Sequence, residues 1–160
     1  MSFLLFPASV NLQSPLSLYS IPVIWFTGFF PHTLKYLTID KAVGYNNTLP
    51  RSSNAKSMEN KVSPALALRL ARMEGAHTNG NEAMPLWFAA VIAGNLVGLD
   101  HRYLNVLAAS YVGTRIAYNT VYIYYNDVAK GWLRSFLYFF GLSFPLRILW
   151  AAATKARLGV

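Results

Sequence analysis

The chain contains no cysteine. That excludes a disulfide framework, a thiolate metal site and a cysteine nucleophile, so any reactive thiol must come from a ligand. Charge is also sparse. Only 12% of residues are charged, against about 25% in an ordinary soluble domain. In their place stand apolar groups: 54% of the chain is hydrophobic and 15% aromatic, and the mean hydropathy is positive. That balance points to a bilayer. The net charge of +8 raises the question of a nucleic-acid partner. The basic residues, however, are scattered between apolar runs, so none is expected. In a membrane protein, excess Lys and Arg mark cytoplasmic loops and meet anionic headgroups.

A membrane-spanning helix needs about 20 mostly apolar residues. Four segments approach that, which predicts helices over about 16–38, 64–99, 102–126 and 131–154. The first contains Pro22 and Pro31, each expected to bend it. The second opens on Pro64, a favoured first-turn residue, and contains Pro85; the fourth contains Pro145. Residues 39–63 are rich in Asn, Ser, Gly and Lys and read as a loop. The turns near Asp100 and near Asn126–Gly131 are short, and short connections make antiparallel neighbours. The expected fold is a single all-α domain, an integral, multi-pass, antiparallel four-helix transmembrane bundle. No internal repeat is visible, which disfavours a transporter. The apolar start, "MSFLLFPASVNLQSPL", lacks the basic opening and cleavage site of a signal peptide and is expected to stay on the mature chain.

Polar residues interrupt this pattern at chosen places. In "RMEGAHTNGNEAMPLWF", residues 72–88, Arg72, Asn79 and Glu82 lie seven and three apart, on one helical face. Arg115, Tyr118 and Tyr122 share a face of the third helix, and Arg134 and Tyr138 share one of the fourth, with Ser135 beside them. Ionisable groups at membrane depth are costly and normally face a bundle interior or a wet cavity. Three polar faces therefore suggest a common pocket. Its chemistry suits a peptide-like ligand with two carboxylates and one amine, since Arg clamps carboxylates and Glu holds an ammonium. An Arg or Ser near a ligand thiol would stabilise the thiolate. The structural alternative is that Asn79, Glu82 and Arg115 pair with one another and fix the helix register. His77 reads as a cap or surface hydrogen bonder rather than a base. Gly94 and Gly98 form a G-x-x-x-G that favours close helix contact. No metal site is expected.

Three stretches carry a resemblance. "AHTNGNEAMP" is similar to an Ala-His-x-Asn-x-x-Glu pattern followed by Pro, "GTRIAYNTVY" to an Arg-x-x-(His or Tyr)-x-x-x-Tyr pattern, and "RSFLYFFGLSFPLRILW" to an Arg-Ser-x-x-Tyr helix with later Pro and Ile-Leu-Trp. In that order on four helices, they resemble the membrane-associated proteins in eicosanoid and glutathione metabolism, whose members include microsomal glutathione transferases and prostaglandin E synthases. The resemblance implies a homotrimer in the endoplasmic reticulum membrane, with glutathione bound between subunits near the cytoplasm and a lipophilic small-molecule substrate arriving from membrane lipid. It implies catalytic roles for Arg134 and Ser135 at the thiol, and ligand contacts from Asn79, Glu82, Arg115, Tyr118, Tyr122 and Tyr138. Gly75 and Thr78 stand where glutathione users commonly carry Arg. Arg72 would then supply a clamp from one turn earlier, with Arg69, Lys35 and His32 as alternatives. The expected function is a glutathione-dependent transferase or peroxidase acting on lipophilic electrophiles or lipid hydroperoxides. The alternative is a non-enzymatic lipid-binding or scaffold member of the same fold.

Orientation follows from the basic residues. Lys35, Lys41, Arg51, Lys56, Lys61, Arg69, Arg72, Lys130 and Arg134 fall on one side; Arg102, Arg147, Lys155 and Arg157 fall on the other. The richer side is cytoplasmic by the positive-inside rule. The sequon Asn46-Asn47-Thr48 then faces the cytoplasm and stays unmodified. Deglycosylation of the protein made in eukaryotic cells should leave its gel mobility unchanged; a glycan on Asn46 would invert the topology.

Overall fold

A computed structural model describes residues 11–48 and 55–159. Arg51 and the first part of the N-terminal apolar run lie outside them. Among the described residues the only regular elements are helices. A 3-10 turn, Leu16–Tyr19, leads into α1, Ser20–Val43; then come the four-residue α2, Ala55–Met58, and the long helices α3, Pro64–Leu96, α4, His101–Tyr124, and α5, Val128–Leu158. The sequence expectation treated α2 as plain loop.

Local chemistry sets the ends. Ser63 caps α3 by accepting from the Leu66 amide, with Pro64 just inside, where a missing N–H costs nothing. Asp100 caps α4 through the Tyr103 amide, and Asp127 caps α5 through the Lys130 amide. α3 stops at Leu96 rather than continuing to 99, because Gly98 takes φ 71° and the Leu99 amide folds back onto the Gly94 carbonyl. Gly98 is therefore a helix stop and not half of a packing motif. Gly94 does sit at a close approach: a Cβ there would lie 2.9 Å from both Leu104 and Ile148. α1 runs five residues past its expected end. Pro22 does not interrupt it, because it occupies the first turn of α1, where no intrahelical donor is needed.

The long helices alternate in direction. Ser20 of α1 meets Trp87 of α3, while Lys35 further along α1 meets Glu74, earlier on α3. Arg72 reaches Ile123, and Gly94 packs on Leu104, so α3 and α4 are also antiparallel. Thr114 lies by Gly141, and Tyr122 by Arg134. α1 and α3 cross at bare backbone, since a Cβ on Gly80 would fall 2.7 Å from the Gly28 Cα. Beside that crossing, His77 Nδ1 bonds the Gly28 carbonyl at 2.8 Å, and its Nε2 faces the Asn81 amide nitrogen at 3.2 Å. Both ring nitrogens are engaged, Nδ1 between α1 and α3 and Nε2 within α3. One apolar cluster centres on Trp87, stacked on Tyr111 with ring centroids 4.1 Å apart. A second, around Leu70, Met73 and Ile123, lies toward the other end of α3.

Pro31 lacks the N–H that would bond the Thr27 carbonyl. Asn119 of α4 fills that gap, its Nδ2 donating to Thr27 O at 2.8 Å. The outer faces are apolar: Phe26, Phe136, Phe139 and Trp150 are all exposed. Of the helices, α5 has a stretch of the length and mean hydropathy, 1.5, of a membrane span.

Two outcomes follow from this packing. Gly80→Ala forces α1 from α3 and should cost about 1–3 kcal/mol by overpacking, read as a lower Tm in detergent. At the start of α5, the Lys130 backbone N–H, and then its side chain, hold the Asp127 carboxyl below the usual carboxylate value. A depressed pKa means that the cap contributes fully above the ordinary carboxylate pKa and is lost as pH falls through the folded value. Hydrogen exchange in the first turn of α5 should therefore speed up on acidification, and Asp127→Asn should remove that pH dependence.

Candidate functional site

The polar face of α3 meets α4 and α5 along a chain of three adjoining cavities. The innermost, about 120 Å³, is lined by Asn79, Glu82, Arg115 and Tyr138, together with Leu86, Tyr111, Gly141 and Pro145. Next to it lies a cleft of about 310 Å³ formed by Asn79, Tyr118, Tyr122, Arg134, Ser135, Tyr138 and Phe139. Asn79 and Tyr138 border both. A third, about 430 Å³, lies beyond Tyr122 and Arg134 and holds Arg72. Of the nine residues assigned to the site from the sequence, the two inner cavities hold all but Arg72, which opens only onto the third.

Arg115 is the centre of the innermost cavity. Only 5% of it is exposed. One terminal nitrogen donates to Asn79 Oδ1 at 2.9 Å, and the guanidinium lies 4.8 Å over the Tyr118 ring. The other terminal nitrogen is buried with no hydrogen-bond partner. The Asn79–Arg115 contact is the register-fixing pair anticipated above, but it uses only half of the guanidinium. Glu82 lines the same cavity and forms no ion pair among the described residues. A cation with an incompletely bonded guanidinium and a separate carboxylate therefore line one hollow. This donor set fits the oxygens and ammonium of a small zwitterionic peptide.

Arg134 lies with its guanidinium 4.6 Å from the centroid of Tyr122. No carboxylate pairs with it among the described residues. Its positive charge is thus stacked and unneutralised at the side of the cleft. Ser135 is less available, because its hydroxyl donates to the Gly131 carbonyl one turn back, at 3.3 Å. Tyr118 stands edge-on to Tyr122 at 5.5 Å and tilted toward Tyr138 at 6.3 Å. These three rings make the apolar wall of the cleft.

The departure at residue 75 has a steric basis. A Cβ on Gly75 would come 2.5 Å from the Tyr122 hydroxyl oxygen. The phenol occupies the space that a larger side chain at 75 would need. Thr78 is exposed and points away from the cleft's lining. Lys35 is buried against Glu74 at 3.5 Å between α1 and α3, and His32 lies tilted against His77 with centroids 5.0 Å apart. Both lie on the α1 side, outside these three cavities.

Sequence reasoning missed Tyr111, Gly141 and Pro145 as lining residues. The spacing held the signal: Tyr111 precedes Arg115 by four, and Gly141 and Pro145 follow Tyr138 by three and seven. Apolar and small residues on a polar face draw no notice until the cavity is seen. No group of three or more potential metal ligands occurs among the described residues.

The sequence model of the MAPEG family matches residues 16–154, which spans α1, α3, α4, most of α5 and every residue of the three cavities. No curated protein and no solved structure matches the chain significantly. The chain belongs to the MAPEG family.

Proposed function

We propose that this protein is a glutathione-dependent membrane transferase or peroxidase acting on lipophilic electrophiles or lipid hydroperoxides. The observation that carries the reading is the half-engaged Arg115 guanidinium, buried in a cavity that it shares with an unpaired Glu82. A buried cation without compensation costs several kcal/mol. A ligand oxygen at its free nitrogen would remove that cost. Arg115 and Asn79 would hold a carboxylate or carbonyl of glutathione, Glu82 its ammonium, and Tyr118, Tyr122 and Tyr138 its backbone. Bound glutathione supplies the thiol. Arg134 acts there by placing positive charge and N–H donors where the thiolate forms, in a cleft walled by aromatic rings. Ser135 is the weaker donor, since its proton already serves a backbone carbonyl.

The exposed aromatic and aliphatic faces support a four-helix transmembrane bundle, with α1, α3, α4 and α5 each crossing the bilayer. The connection between α4 and α5 would then be cytoplasmic, where glutathione enters, while the lipophilic substrate reaches the site laterally between α1 and α5. Family membership favours a homotrimer in the endoplasmic reticulum. A second reading, a lipid-binding or scaffold protein without glutathione chemistry, draws on Gly75, where the Tyr122 phenol stands in place of a clamp.

Millimolar glutathione should raise the Tm of the detergent-solubilised protein, increasingly with concentration; a scaffold would not respond. Arg134→Ala should lower turnover on the order of 10²-fold, as loss of an oxyanion-type donor does, with a much smaller change in glutathione affinity. Equal losses in both would overturn the catalytic assignment.

A further inference from the structure

The third cavity is lined by cations from two helices: Arg72 of α3, and Lys130 and Arg134 of α5. Arg72 is held in place by its Nε–H, which donates to the Ile123 carbonyl at 3.2 Å. That carbonyl belongs to the last turn of α4, where no helical N–H reaches it. The bond leaves both terminal nitrogens of Arg72 unused, and no carboxylate pairs with Arg72 among the described residues. Lys130 lies 4.3 Å over the Tyr125 ring, with Asp127 3.4 Å away. Asp127 is the one acid in the lining, and its carboxylate already accepts the Lys130 amide as the cap of α5. The first turn of α5 adds the partial positive charge of a long helix. The cavity therefore carries net positive charge, with one guanidinium locked in place before any ligand arrives.

From this arrangement we infer an anion site for a carboxylate or phosphate group, held by Arg72 and Lys130 and bordered by Arg134. Tyr122 and Arg134 also line the neighbouring cleft, so an anion here sits next to the thiol position. Gly75 makes this geometry possible, because it lets the Tyr122 ring settle against α3. The carboxylate clamp absent at 75 is thus replaced one turn earlier, on the other side of that ring. The carboxylate source rests on the glutathione reading; the phosphate of a lipid headgroup does not.

The test uses the whole protein in detergent micelles and in phosphatidylcholine nanodiscs. One arm compares binding of glutathione with its glycyl monoethyl ester. The other compares stabilisation by phosphatidic acid over phosphatidylcholine. In the first arm, wild type should prefer the free acid by about tenfold, the scale of one charge-assisted bond. In the second, phosphatidic acid should raise the Tm. Arg72→Gln or Lys130→Gln should erase the preference, Arg72→Lys should keep part of it, and Arg157→Gln at the far end should change nothing. An Arg72-dependent preference in either arm supports the site and identifies its source. If Arg72→Gln does not fold, Lys130→Gln is read in the same way. Preferences that are absent, or unchanged by both variants, overturn the anion site. Indifference to both glutathione and its ester, with an Arg72-dependent response to phosphatidic acid, refutes the transferase reading while the anion site stands.

Discussion

A guanidinium presents five N–H donors in a rigid fork, and burying it commits the fold to supplying acceptors. At Arg115 the protein supplies one, Asn79 Oδ1, and leaves the other terminal nitrogen without a partner. This asymmetry organises the region. The bond to Asn79 ties α4 to α3 midway along both helices, so the polar faces of α3, α4 and α5 fall into register. Arg115 lines the inner cavity beside that bond. A second protein acceptor, such as a carboxylate in contact, would have closed the hollow into a dry ion pair. Glu82 is near enough to share the lining yet is not within ion-pair distance.

The prolines serve the same end from the backbone. Each one within a helix releases a carbonyl four residues earlier, and an unpaired carbonyl in an apolar setting costs about 1–3 kcal/mol. At Pro31 the released Thr27 carbonyl is taken by Asn119, which locks α1 to α4 and turns a defect into a cross-link. At Pro145 the released carbonyl belongs to Gly141, whose bare backbone packs against Thr114 and borders the inner cavity. A Cβ at 141 would meet Thr114 at an ordinary 3.4 Å, so the helices are in normal packing contact here and the cavity survives beside it. Rigid helix crossings on one side and an incompletely filled polar seam on the other are compatible because different residues specify each.

The long helices were legible because their signals are local: Pro64 in a first turn, short connections near Asp100 and near Asn126–Gly131, and apolar runs of sufficient length; the Asp127 cap went unread, so α5 begins at Val128 and not at 131. The stop at Leu96 was not, because Gly94 and Gly98 have the spacing of a packing motif and only the backbone angle of Gly98 reveals a cap. Pro22 misled for a similar reason, since its effect depends on how many residues of helix precede it. Polar spacing on three helices pointed to most of the polar residues that line the two inner cavities. Arg72 shared the α3 face but opened elsewhere, because ten residues along a helix is about 15 Å of rise, too far to share a small hollow with Glu82. The Gly28–Gly80 crossing left no trace in pattern at all, because the pairing of two glycines from distant parts of the chain is a property of the tertiary structure.

Gly75 shows how one residue can be a loss and a provision together. Under the glutathione reading, a glycine where an Arg clamp is expected removes a charge-assisted bond worth roughly 1.5–3 kcal/mol. In the folded chain the vacated space is taken by the Tyr122 hydroxyl, which brings the ring beneath the Arg134 guanidinium. Arg134 is thereby held by a π face rather than by a carboxylate. An ion pair would neutralise its charge and raise the cost of using it to stabilise an anion; an aromatic face orients the cation while leaving its charge and donors available. Tyr122 as the partner of Arg134 thus accounts for a cation that is ordered yet electrostatically unspent, and a Cβ at position 75 would push that ring from its place.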